Sequence, residues 1–174
     1  MTGDQTRLEL HVADADVSAF APLFERLMAA GITFATLGEL QAAAPRWLER
    51  FTVLDNETRS ASVDPQVPRT VETMTARLAE LELDPEACFV AREGERWIGY
   101  TVLDTAHSSA ERLRQSWTGV VSSYRRRGIG TALKILTVGY ARDHGYALIE
   151  TTTRADNVAS QGLSRRVGFR PPAG

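Results

Sequence analysis

Lysine and cysteine are almost missing from this chain. Lys134 is the only lysine, so nearly all of the 20 basic residues are arginine. Cys88 is the only cysteine, which rules out an internal disulfide and leaves no cysteine cluster for a metal. Inside the apolar run ACFVA it reads as a buried structural thiol. No run approaches the roughly 18 apolar residues of a membrane span, and the N-terminus lacks a basic stretch followed by an apolar core. The expectation is a soluble cytoplasmic protein with no membrane role. An excess of one charge is lacking as well: a net charge of −2 and no long arginine stripe argue against a nucleic-acid partner. What is present is ordinary globular material. With 43% apolar and 24% charged residues, disorder is excluded, and 174 residues suffice for one domain with a real core and an N-terminal appendage.

Periodicity orders the elements. RLELHV (7–12) alternates as a short strand, and DVSAFAPLFERLMAAG follows as a helix that Asp16 or Ser18 caps and Gly31 ends. ITFATL is a second strand. From Gly38 to about Asn56 the pattern is helical, with Pro45 separating two shorter helices. A polar loop, Ser60–Pro68, precedes an amphipathic helix over Thr70–Leu83. The character then changes to β-rich runs, ACFVARE and RWIGYTVLD joined at Gly94, then WTGVVSS. A helix over Gly128–His144, the strand ALIETTT and a helix over Asp156–Val167 complete a mixed α/β layer pattern. We divide it into a strand–helix appendage, 1–31, and a main domain, 32–174.

SSYRRRGIGTAL, residues 122–133, carries the chemistry. Ile129, Ala132, Leu133, Leu136 and Tyr140 lie on one helix face, and Gly145 suits a left-handed cap. The helix therefore starts at Gly128–Thr131, directly after a strand. A helix N-terminus offers unpaired N–H groups and partial positive charge to an anion. Gly128 and Gly130 lack a β-carbon that would obstruct a phosphate, and Arg125 adds a charged contact from the edge. The third glycine and distant acid of a dinucleotide fold are absent, as is the lysine of a P-loop.

TGVVSSYRRRGIGTALKILTVGYARDHGY followed by IETTTRADNVASQGLSRRVGFRP resembles the cofactor-binding core of the GNAT superfamily of acyl-CoA N-acyltransferases. The shared pattern is R-x-x-G-x-G at Arg125, Gly128 and Gly130, then Asn157, Leu163 and Gly168-Phe169; it covers about residues 85–170. The resemblance implies a twisted, mixed, mostly antiparallel sheet flanked by helices, with acetyl-CoA as co-substrate and no metal. It implies that main-chain N–H groups of Arg126, Arg127, Gly128, Ile129, Gly130 and Thr131 hold the pyrophosphate. Val120 and Val121 would pair with the pantetheine arm, and Asn157 would contact the cofactor while capping its helix. The implied reaction is direct attack of a primary amine of a small molecule on the thioester. A non-catalytic acyl-CoA-binding or protein-interaction domain is the alternative.

Departures from the family sharpen the expectations. Ser164 stands where many members have a tyrosine that protonates the departing thiolate; a serine hydroxyl can hydrogen-bond the sulfur, or be merely an exposed helix residue. For the base, Glu150 leads on position, ahead of Asp104, His107 and Glu111. After Gly168-Phe169 only RPPAG remains, a poor strand because of its prolines. RLELHV is the spare strand, so Leu8–Val12 is expected at the C-terminal half of the sheet, in the same chain or exchanged in a homodimer. That arrangement resembles the second half of a tandem-GNAT protein. The acceptor site is expected from the N-terminal helices, the loop Ser60–Pro68 and Thr105–Arg114, with Asp55 and Glu57 available to attract a cationic amine and Trp47, Trp97 and Trp117 available to line a pocket.

Overall fold

The computed structural model describes residues 4–60, 67–109 and 111–172, and side chains throughout these except at 106–108. Six strands form one sheet in the order β1-β6-β5-β4-β3-β2. They are β1 (Gln5–His11), β2 (Ile32–Thr36), β3 (Cys88–Glu93), β4 (Arg96–Ser109), β5 (Arg112–Val120) and β6 (Leu148–Arg154). Every neighbouring pair is antiparallel except β5 with β6. The helices are α1 (Ala21–Ala29), α2 (Leu37–Ala43), α3 (Trp47–Arg59), α4 (Val71–Glu80), α5 (Ile129–Asp143) and α6 (Val158–Val167).

Local chemistry explains the boundaries. Thr36 and Glu39 exchange side-chain and main-chain hydrogen bonds at the start of α2, a capping box. Pro45 separates α2 from α3 as expected. The helix after Asp16 starts later than its apolar pattern suggests. Asp16 Oδ1 accepts from the Ser18 and Ala19 amides, which stabilises a short 3-10 turn, Ser18–Phe20, before α1. β4 and β5 form a longer hairpin than their apolar runs indicate. The ladder continues through Asp104↔Arg114 and Ser109↔Arg112, so Thr105–Arg114 is mainly hairpin.

Two layers cover the sheet. Leu37 and Leu40 of α2, Phe51 and Leu54 of α3 and Met74 of α4 pack on Cys88, Val90, Tyr100 and Val102. Strand alternation sends Ala91 to the opposite face, and the register shift between Ala91 and Arg92, which leaves Ile98 as the extra residue of β4, sends Ile98 there too, against Leu27 of α1 and Ile129, Ala132 and Leu133 of α5. α5 is buried around more of its circumference than a single face, because Ile135, Val138 and Ala141 also pack on Leu8, Leu113 and Ile149.

The N-terminal strand is part of this sheet. β1 pairs with β6 in the register Leu8↔Thr151 and Leu10↔Ile149, which buries Leu8 and Leu10 beside Phe169. Pairing ends at His11, and Val12 opens a 3-10 turn. At the outer edge of β1, Glu9 and Arg170 exchange two main-chain hydrogen bonds of 2.7 and 2.8 Å. Among the described residues the tail contributes that one bridge, since the prolines that follow have no N–H to donate. The expected intramolecular position of the strand is therefore the one observed.

Candidate functional site

A parallel pair that stops early opens the centre of the sheet. β5 and β6 pair from Arg112↔Leu148 to Gln115↔Thr151 and no further, while β5 continues to Val120 against β4 alone. A register shift between Val102 and Leu103 accommodates an extra residue in β5, which increases the local twist. Val121 N–H donates to Ile98 O at 2.9 Å. By the alternation of an antiparallel ladder, Thr118 and Val120 turn their N–H and C=O groups to the gap instead. Val121 thus differs from its expected role: its amide is consumed by β4, and its side chain packs against α3 and α4 residues. Thr118, which no motif singled out, takes its place on the open edge.

The basic turn lies at the mouth of this gap. Arg126 has φ 61° and Gly128 φ 92°, and α5 begins at Ile129 with no side-chain cap on its N-terminus. Its first-turn amides and positive end suit an anion. The arginines divide their work. Arg125 folds back, its Nε donating to Val120 O at 3.0 Å and its Nη2 to Thr58 O at 3.5 Å. Arg127 lies 4.9 Å from the Tyr124 ring centroid, with Arg96 5.7 Å from the same centroid, and Tyr124 donates to Glu93 at 2.6 Å. Arg126 is exposed.

The glycines serve packing first. A β-carbon on Gly128 would come within 2.6 Å of Leu23 Cδ1, and one on Gly130 within 3.2 Å of Leu163 Cδ2 and 3.7 Å of Val120 Cγ2. Neither missing β-carbon faces open space, so these glycines have a packing role beside the one expected from the sequence. They allow α1, α6 and β5 to close against the turn.

Behind the closed end of the gap is a buried polar cluster that the motifs did not reveal. Gln115 Nε2 donates to Thr101 Oγ1 at 3.0 Å, and Thr101 shares a 2.8 Å hydrogen bond with Thr118. Lys134 is 3% exposed; its Nζ donates to Gln115 Oε1 and lies 4.9 Å from the Phe169 ring centroid. Burial lowers its pKa to about 7. Its signal in the sequence was being the single lysine. Ser164 is also buried, not exposed, and its Oγ has no partner among the described residues. Asn157 caps α6, its side chain accepting from Ser160 N at 3.0 Å.

The candidate bases are placed apart. Glu150 Oε2 accepts from Arg7 at 2.9 Å and Arg112 at 3.4 Å, tying β1 to β5. Asp104 is buried and partnered, Glu111 is exposed in the β4–β5 turn, and the His107 side chain lies outside the described residues. Most of the loop Ser60–Pro68, at 61–66, also lies outside them. Asp55 is not free to attract a cation. It is fully buried, accepts from Tyr100 at 2.5 Å and Arg69 at 2.7 Å, and has Arg59 at 3.7 Å. Burial and the neighbouring carboxylate push the Tyr100 hydroxyl well above its ordinary range. Glu57 pairs with Arg96 at 3.4 Å. A cleft of about 80 Å³ beside this cluster is lined by Phe51, Met74, Tyr100 and Trp117. Trp97, though buried, lines a separate cleft of about 810 Å³ together with Leu54, Glu57 and Arg96. Among the described residues no group of three or more His, Cys, Asp or Glu is placed to hold a metal, and no helix is long and apolar enough to cross a membrane.

Comparisons with known proteins agree with this geometry. The profile of the Acetyltransferase (GNAT) family matches residues 49–169. Mycothiol acetyltransferase of Arthrobacter sp. (strain FB24) is 29% identical over 175 residues, covering 91% of this chain and 54% of that protein. Among solved structures, a tandem GNAT protein from the clavulanic acid biosynthesis pathway superposes with a TM-score of 0.64 at 20% identity, over 97% of this chain and 50% of the other. The Salmonella typhimurium protein yncA, solved with its cofactor acetyl-CoA, gives 0.63 at 16% identity over 82% of each chain. The chain spans about half the length of the curated relatives it matches.

Proposed function

The chain belongs to the acetyltransferase (GNAT) family, which uses acetyl-CoA, and from that premise we propose that it acetylates a primary amine of a small molecule by direct attack on the thioester. The observation that carries this reading is the gap after Gln115↔Thr151, flanked by an uncapped helix N-terminus. Bound acetyl-CoA would supply the activated acetyl group. The amides of residues 126–131 would hold its pyrophosphate, with Arg126 adding charge. The outward main-chain groups of Thr118 and the N–H of Val120, whose carbonyl already accepts from Arg125, would pair with the amide-bearing pantetheine arm, as an added strand pairs with an exposed edge. Asn157, whose oxygen caps α6, keeps its side-chain amide N–H groups for the same arm.

The acceptor would enter from the α3–α4 side, where the cleft by Trp117 and Tyr100 lies. Its attacking nitrogen must be neutral, so a proton has to leave it directly or through water. Glu150 remains our candidate for that base, in competition with its two arginine partners. The lone thiol of Cys88, fully buried and with its pKa raised by burial, suits the cytoplasm, where we place the reaction. Calorimetric titration of acetyl-CoA, followed by thiol release with a panel of amines, tests the proposal. Binding with release for one amine class supports it and names the acceptor. Binding without release from any amine favours a cofactor-binding domain without turnover, and no binding overturns both.

A further inference from the structure

We propose that Lys134 is the acid of the transfer step: from the closed end of the β5–β6 gap, its ammonium group gives a proton to the sulfur as the thioester carbon–sulfur bond breaks. The inference rests on the acetyl-transfer reading. Lys134 is the one lysine in a chain whose other basic side chains are arginine, and it is 3% exposed. Arginine keeps its proton in proteins, whereas a buried lysine releases one readily. A charge is not buried for packing alone, since desolvating an ammonium is costly.

The surroundings fit the role. Lys134 is one helical turn beyond Gly130, whose neighbours are Leu163 and Val120 at the mouth of the gap. Its Nζ donates to the side chain of Gln115, the last residue of β5 to pair with β6. An ammonium has three N–H groups, and Gln115 takes one. The groups that face it are neutral: Gln115 on β5, Thr101 on β4 and Thr137 on α5 within the same hydrogen-bonded cluster, and the ring of Phe169. Phe169 N–H in turn donates to the carbonyl of Ser164, the residue of α6 whose buried hydroxyl lacks a partner. No carboxylate pairs with Lys134 among the described residues, and burial alone lowers its pKa to about 7, so it exchanges its proton at neutral pH. Ser164, in the position of the family's tyrosine, is free to hydrogen-bond the same sulfur.

The step balances without a further reactant. The acceptor nitrogen bonds to the acyl carbon, the electron pair of the carbon–sulfur bond leaves on sulfur, and the Nζ proton converts that sulfur to a thiol. The proton shed by the acceptor nitrogen returns to Nζ through water.

Free CoA, the thiol product, is the probe, and the ultraviolet absorbance of its thiolate is the readout. Lys134, with its pKa at about 7, is neutral where a thiol titrates, so the wild-type protein should leave the bound thiol near the midpoint of free CoA. Lys134→Arg keeps a cation beside the sulfur at every pH, so there the thiol should ionise about 1–3 pH units lower while turnover is lost. Lys134→Met should leave the midpoint unshifted and calorimetric affinity unchanged. A Lys134→Arg midpoint equal to that of free CoA overturns the proposal, as does an equal downward shift in Lys134→Met. Absence of CoA binding in the calorimeter is a distinct result, which overturns the acetyl-transfer reading as well.

Discussion

Thr151 Oγ1 donates to the main-chain oxygen of Gln115 at 3.2 Å, across the last rung of the one parallel pair among the described strands. This bond marks where β5 and β6 part. Thr151→Val keeps the shape and removes the donor. We expect a loss of about 1 kcal/mol, read as a melting temperature lower by a few degrees. Acetyl-CoA affinity should fall with it, because the closed end of the gap loosens.

Gly128 and Gly130 should respond differently to alanine. At φ 92° and 2.6 Å from Leu23, Gly128→Ala strains both backbone and packing and should cost about 1–3 kcal/mol. Gly130→Ala meets only the flexible end of Leu163 at 3.2 Å, so it should fold and bind acetyl-CoA nearly as the wild type does. Parallel melting and calorimetry separate the two. Equal destabilisation at both positions would contradict the packing account.

Lys134 makes stability depend on pH. Its folded pKa is about 7 against an ordinary 10.5, so between those values the unfolded chain binds more protons than the folded one. Stability therefore rises with pH across that window, by up to about 1.4 kcal/mol per pH unit from this group. Below pH 7 both states are protonated and the contribution is flat. Lys134→Met should remove this slope and raise the melting temperature at neutral pH. Denaturant melts of both proteins from pH 6 to about 10 check the difference.

Asp55 is held by Tyr100 and Arg69 in the core. Asp55→Ala leaves a buried hydroxyl and an arginine unanswered and should cost about 3–5 kcal/mol. Tyr100→Phe should cost less, about 1–2 kcal/mol, since Arg69 still satisfies the carboxylate. If Asp55→Ala melted like the wild type, the ion cluster would not be structural.

Leu8 anchors the N-terminal strand beneath Phe169 and Ile149. Leu8→Ala should cost about 2–5 kcal/mol, the range for an apolar truncation in a core. Glu150→Gln breaks only a partly exposed pair with Arg7 and Arg112 and should cost about 0–1 kcal/mol. A large drop in turnover with Glu150→Gln at an unchanged melting temperature would support the base role. Unchanged turnover would leave it as the clasp between β1 and β5.

Much of this protein was legible from its residues in order. The helix after the arginines, the break at Pro45 and a strand near residues 7–12 follow from periodicity, proline and strand alternation, which are local properties. So does the placement of Gly128 and Asn157 at helix starts. Lys134, Gln115 and Thr118 were not legible as a group, because strand pairing and helix packing bring β4, β5 and α5 together from distant parts of the chain. Asp55 reads as a solvated acid on a helix until Arg69 and Tyr100 close over it. The packing role of the two glycines was hidden for the same reason: the atoms nearest an added β-carbon belong to α1 and α6. Sequence by itself determined the elements, the phosphate-suited turn and the resemblance that carries the family. Tertiary structure decided which main-chain groups face the gap, which charges are buried and what each arginine holds, since those depend on contacts between residues far apart in the chain.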